Sequence, residues 1–172
     1  MFHVERMLTS PRNGGIILLI SLFLIVNSCG ISRQSTIIPD YILVSNGKEI
    51  LGNKNLTAFI FENNLRKLPI EQYLSAKFKT DNYSENEFWV TIDKDKFKII
   101  IYDYSEFEKY FNSSNYAVKN EEPDNVKSGD KRKFIAISMI NSFNEDCLLN
   151  GSLYQNIATK YLKNLKDEYY NQ

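Results

Sequence analysis

Two alternating runs, EFWVTID (87–93) and FKIIIYD (97–103), lie only a few polar residues apart. That spacing dictates antiparallel pairing, because parallel strands need a crossover of a dozen or more residues. Phe88, Val90 and Ile92 alternate with Trp89 and Thr91, while Phe97, Ile99 and Ile101 alternate with Lys98, Ile100 and Tyr102. The stretch DKDK, Asp93 to Lys96, reads as the hairpin loop.

The rest of the chain follows the same logic. YILVSNGKEIL carries Asn46-Gly47, a strong hairpin signal, and predicts strands at 41–45 and 48–51. LTAFIFE (56–62) puts Phe59 and Phe61 on one side and Ala58 and Ile60 on the other, as a strand covered on both faces does. KFIAISMINSF has the same two-sided pattern and predicts a central strand. Pro69 suits the first turn of a helix over 69–78, with Ile70, Tyr73, Leu74 and Phe78 at helical spacing. SEFEKYF predicts a short helix capped by Ser105, with Phe107, Tyr110 and Phe111 on one face. Residues 112–132 form a long polar connection. Ser152 with Gln155 makes a capping-box pattern ahead of a helix at 152–169, whose stripe is Leu153, Ile157, Tyr161 and Leu165, widened by Ala158 and Leu162. The order ββαββ(α)βα predicts an α+β fold: a mostly antiparallel sheet of about five to six strands, with a C-terminal helix and one or two further helices on one face.

Ahead of this domain lies the apolar run Ile16 to Val26. As a helix it covers only about 16 Å, half of a ~30 Å hydrocarbon core. It has the length of a secretory h-region, with Arg6 and Arg12 before it, and initiation at Met7 would give the tidier leader MLTSPRNGG. Val26-Asn27-Ser28-Cys29-Gly30 follows directly and resembles the lipobox of bacterial lipoprotein precursors. The resemblance implies that 1–28 is a removed signal peptide, that Cys29 receives a diacylglycerol and becomes the first residue, and that its two acyl chains suffice to hold the protein on a membrane. It further implies a location at the outer membrane facing the periplasm, because Gly30 stands where an Asp would signal inner-membrane retention. Residues 29–39 then read as the lipidated cysteine and a short tether, and 40–172 as a single α+β domain.

Composition narrows the chemistry. Charge is balanced, 21 Lys and Arg against 21 Asp and Glu, which argues against a nucleic-acid partner. The only histidine is His3, inside the segment read as removed. Without it the domain lacks Ser-His-Asp and Cys-His catalysis and His-ligated zinc. Cys147 lies beside Glu145 and Asp146, which oppose thiolate formation, so it reads as a packed thiol and not a nucleophile. Asp93 and Asp95 lack the remaining ligands of a calcium loop. No catalytic residue, metal ligand or cofactor site is assigned.

The aromatic residues offer the one candidate ligand surface. Trp89, Tyr102 and Tyr104 share the hairpin face opposite Phe88 and Phe97 if the register allows; exposed they would stack a glycan or a partner, and covered they are a second core layer. Three functional readings follow. The first is a non-enzymatic, lipid-anchored accessory binding another cell-envelope protein. The second is a glycan- or peptidoglycan-binding module using Trp89, Tyr102 and Tyr104. The third is a carboxylate hydrolase using pairs such as Glu85 with Glu87 or Glu121 with Glu122.

Overall fold

The computed structural model describes residues 35–50, 54–80, 82, 84–119 and 132–172. In chain order the elements are β1 (Thr36–Ile37), β2 (Ile42–Val44), β3 (Glu49–Ile50), β4 (Lys54–Asn55), β5 (Ala58–Glu62), α1 (Ile70–Phe78), β6 (Glu87–Ile92), β7 (Asp95–Ile101), α2 (Tyr104–Tyr110), β8 (Tyr116–Ala117), β9 (Phe134–Asn141) and α3 (Gln155–Tyr170). The main sheet runs β2-β5-β9-β7-β6, antiparallel at every junction. The fold is α+β, with a C-terminal helix and two further helices, as the element order requires.

The central position of β9 explains its composition. All eight of its residues are buried, and the register sorts them into two layers. Ile135, Ile137 and Met139 join Phe59, Phe61, Phe97, Ile99, Phe88 and Val90 in a core closed by Ile70 and Leu74 of α1 and by Ala158, Leu162, Leu165 and Tyr169 of α3. Phe134 and Ala136 face the other way, against Ala58, Ile60, Phe107 and Phe111. The expectation that all helices share one face is therefore corrected. A fully apolar central strand must be covered on both sides, and α2 supplies the second cover through Phe107, stacked 6.2 Å from Phe134.

Local signals account for most boundaries. Pro69 immediately precedes α1, which ends at Lys79 in the left-handed conformation. Helix α2 is capped by Asp103, not Ser105: Asp103 Oδ1 accepts the Glu106 N–H at 2.8 Å, and Glu106 Oε2 accepts the Asp103 N–H at 3.3 Å. The β6–β7 loop is shorter than DKDK. Ile92 pairs with Asp95, leaving Asp93 and Lys94 as a two-residue turn, both at positive φ, whose twist matches the flanking strands.

Asn46-Gly47 is not a hairpin turn. Strand β2 pairs with β5, while β3 pairs with β4, so the chain from Gly47 runs antiparallel to residues 54–56. Gly47 is needed for another reason: a Cβ there would collide with the Tyr102 hydroxyl and lie 2.8 Å from the Leu56 carbonyl. The turn between β3 and β4 lies outside the described residues.

Two segments read as connections belong to the fold. Thr36 and Ile37 pair with Tyr116 and Ala117, and Ile38 is buried, so the compact unit spans Ser35–Gln172. Within 112–132, Ser113–Asn115 form a 3-10 turn before β8, and 120–131 lie outside the described residues.

Helix α3 is rotated from its expected stripe. Its buried residues are Ala158, Leu162, Leu165, Lys166 and Tyr169, whereas Ile157 is exposed and Leu153, ahead of the helix, is 94% exposed. Polar contacts set this rotation. The Tyr169 hydroxyl lies 3.0 Å from Asn63 Oδ1 and 2.9 Å from the Leu68 carbonyl, and the buried Lys166 ammonium pairs with Asp40. The Ser152–Gln155 capping box does not form; Gln155 instead donates its N–H to the Ser152 carbonyl and its Nε2 to the Leu148 carbonyl.

Candidate functional site

Trp89 and Tyr102 do point to the face opposite Phe88 and Phe97, but they are not equivalent there. Trp89 pairs with Lys98 across the hairpin and is 55% exposed. Lys98 Nζ sits 5.0 Å from the centre of its ring and 3.0 Å from Glu87 Oε2. One side of the indole is thus already occupied by an ammonium group.

Tyr102 is buried. Its hydroxyl accepts the Lys48 N–H at 2.9 Å and lies 2.9 Å from Ser138 Oγ, which donates to the Thr57 carbonyl at 2.8 Å. Burial pushes its pKa up. Its cover comes from residues 47 and 48 and from Phe111, the residue that ends α2. Tyr104 is exposed on α2, where it borders a small cleft with Phe107, Glu108, Arg132 and Phe134. Of the three aromatics, only Trp89 and Tyr104 offer a face to a ligand; Tyr102 is a structural bolt.

The connector between β9 and α3 carries a feature that sequence periodicity missed. Three large apolar side chains face solvent there, Phe143 at 80% exposed, Leu149 and Leu153, and Ile157 follows in the first turn of α3. The backbone that carries them is closely tied. Asn141 Oδ1 accepts the N–H groups of Phe143 (2.9 Å) and Glu145 (3.0 Å), and its Nδ2 donates to Glu145 Oε2 at 2.7 Å. This side-chain-closed turn, completed by Asn144 at positive φ, aims Phe143 outward. Asp146 then ties the connector to the residue before β5, accepting the Thr57 N–H at 2.7 Å, and accepts the Leu148 N–H at 2.8 Å within the connector. Cys147 N–H donates to the Met139 carbonyl at 2.9 Å. Gly151 at φ +85° completes the turn in which the Ser152 N–H bonds the Leu149 carbonyl. The connector thus combines a hydrogen-bonded backbone with apolar side chains turned to water. The signal was available in Phe143 beside two asparagines, since Asn favours such turns, but α3's apparent stripe absorbed Leu153 and Ile157.

The remaining candidates are weaker. Cys147 is fully buried, and burial, with Asp146 and Glu145 adding to it, pushes its thiol up to about 12. Asp93 lies in the two-residue β6–β7 turn and Asp95 directly after it, and Glu87 is engaged by Lys98. Among the described residues, no three His, Cys, Asp or Glu side chains are grouped to hold a metal ion. Glu121, Glu122 and Cys29 lie outside the described residues. No protein-family model, curated protein or solved structure matches this chain.

Proposed function

We propose that this chain is a lipid-anchored, non-enzymatic accessory of the cell envelope that binds another envelope protein through the β9–α3 connector. The anchor is Cys29, read from the lipobox-like Val26-Asn27-Ser28-Cys29, with the domain at the outer membrane facing the periplasm. The observation that carries the binding reading is the exposure of two large apolar side chains on the one connector, Leu153 at 94% and Phe143 at 80%, with the backbone at Phe143 fixed by Asn141. Such preorganisation lowers the entropy lost on association, and outward aromatic and aliphatic anchors are what a partner's apolar pocket takes up. The partner is accordingly a protein with an apolar groove.

The test is site-specific photo-crosslinking in the native host. A photoreactive residue at Leu153 is expected to give a discrete adduct that Phe143→Asp abolishes, with no adduct from the same residue at Ser114, exposed in the 3-10 turn before β8. Equal labelling from both positions, or none at Leu153, overturns the proposal.

The glycan reading keeps one supporting observation, the exposed Trp89. Quenching of this single tryptophan by cell-wall fragments, lost in Trp89→Ala binding, would transfer the function to the β6–β7 face.

A further inference from the structure

Helices α1 and α3 cover the same core, and a groove runs between their solvent-facing edges. It encloses about 620 Å³ and is lined by Tyr73, Asn164, Asp167, Glu168, Asn171 and Gln172. A smaller depression of about 110 Å³ shares Asn164 and Glu168 with it and reaches Lys77 and Tyr161. Residues 164, 167, 168 and 171 recur at the spacing that puts them on one stripe of a helix. Asn164 and Asn171 stand about 10 Å apart along that stripe. The larger volume falls within the range of small-ligand sites.

The chemistry of the lining selects the ligand. Glu168 Oε2 pairs with the Lys77 ammonium and accepts the Tyr73 hydroxyl at 3.3 Å. Asp167 Oδ1 lies 3.2 Å from Lys166 Nζ. Both lining carboxylates therefore have an ammonium partner, and the groove offers no unmatched charge to a cation or an anion. Gln172 is engaged as a wall, its carbonyl by Lys67 and its Nε2 by the Tyr169 carbonyl. Among the described residues, the side-chain amides of Asn164 and Asn171 have no hydrogen-bond partner, and both side chains are exposed. Tyr73 is half-buried, its ring 5.6 Å from that of Tyr169, and the rest of it borders the groove.

A ligand suited to this lining is polar, uncharged and rich in groups that both donate and accept. Hydroxyls do both, as the asparagine amides do. A sugar ring also carries an apolar C–H face, which an aromatic ring can stack against. A peptide would call for apolar pockets or an open strand edge, and no aliphatic side chain lines the larger groove.

We propose that the α1–α3 groove binds a neutral oligosaccharide, with one ring on Tyr73 and the hydroxyls of neighbouring rings bonded by Asn164 and Asn171. The site is separate from Trp89 and rests neither on acylation of Cys29 nor on the β9–α3 connector.

The experiment titrates the full chain with maltotriose, cellotriose and N,N′,N″-triacetylchitotriose, following side-chain amide signals by NMR. Anionic trigalacturonate and cationic chitotriose are the controls. At least one neutral trisaccharide is expected to shift the Asn164 and Asn171 amide signals at millimolar concentration. Asn164→Ala with Asn171→Ala should weaken that binding by about tenfold or more, with the unfolding midpoint unchanged because both side chains are exposed. Trp89→Ala should leave it intact. No shift from any neutral trisaccharide, an equal response to the charged controls, or binding that survives the double asparagine variant overturns the inference. Binding lost in Trp89→Ala overturns it too, by moving the sugar to the β6–β7 face. Loss of the Leu153 crosslink in the double asparagine variant would make the groove part of the protein interface, sinking this inference while the proposed function stands.

Discussion

Arg132 holds Glu71 with both arms of its guanidinium, Nη1 to Oε1 at 2.6 Å and Nη2 to Oε2 at 2.7 Å. The pair joins the residue before β9 to the first turn of α1, and Nη1 also reaches the Tyr102 carbonyl at 3.2 Å. Both side chains are largely withdrawn from water. Removing one partner strands a buried charge, so Arg132→Met is expected to cost about 3–5 kcal/mol. Arg132→Met with Glu71→Met should recover much of that loss, since the Glu71 carboxylate is then not left buried without the guanidinium. Urea denaturation of both single variants and the double variant gives the coupling. A single-variant cost below about 1 kcal/mol would show that the pair is worth no more than a surface salt bridge.

A second contact, between Gly47 and Tyr102, places a glycine where the backbone needs room. Gly47→Ala pushes a methyl group into the Tyr102 hydroxyl and toward the Leu56 carbonyl. The expected loss is about 1–3 kcal/mol, typical of overpacking in a closed site. Tyr102→Phe makes room but deprives the Lys48 N–H of its acceptor, with a cost of about 1–3 kcal/mol of its own. Combining the two should cost less than their sum, because the hydroxyl that obstructs the methyl is gone. Strict additivity in thermal or urea unfolding would disprove the steric account.

These contacts also mark where sequence reasoning stops. Strand alternation located β5, β6, β7 and β9, because period-2 burial is local, and Pro69 located α1 for the same reason. Pairing partners are not local. Asn46-Gly47 looks like a turn from its own neighbours, and only the tertiary approach of Tyr102 explains the glycine. Likewise α3 offers an apolar arc wider than the sheet can cover. Which part is buried was decided by Tyr169 reaching Asn63 and by Lys166 reaching Asp40, at sequence separations of 106 and 126 residues. The candidate interaction surface shared that fate: Trp89 was legible as an outward residue, while Phe143 and Leu153 became visible only once α3 had been rotated.

Cys147 supplies a prediction about pH. Burial raises its thiol to about 12, well above the ordinary thiol range of about 8–9. In the folded protein its thiolate is therefore scarcer by about a thousandfold, and iodoacetamide at pH 8 should leave Cys147 unmodified until urea unfolds the domain. The linkage sign follows from proton uptake. Between about pH 9 and 12 the unfolded chain has released this proton and the folded chain retains it, so stability falls as pH rises through that window. The upward-shifted tyrosines, Tyr102, Tyr161 and Tyr170, all chiefly desolvated, push in the same direction above pH 10. Unfolding midpoints should decline from pH 8 to pH 11, and a rise over that range would contradict the burial of these groups.

Leu162 and Leu153 separate what α3 contributes to folding from what the connector presents to solvent. Leu162 is buried against the sheet, with Ala158 and Leu165 on the same side. Truncating it removes buried methyl groups and leaves a cavity, so Leu162→Ala is expected to cost about 2–5 kcal/mol. Leu153 touches water over nearly its whole surface, so Leu153→Ser should move stability by no more than about 0.5 kcal/mol. Exchanged outcomes would mean that the helix sits with its Leu153–Ile157 side inward. If the order holds, an exposed leucine that the fold does not need is left as a contact for another molecule, and Leu153→Ser should weaken partner capture while leaving the unfolding midpoint in place.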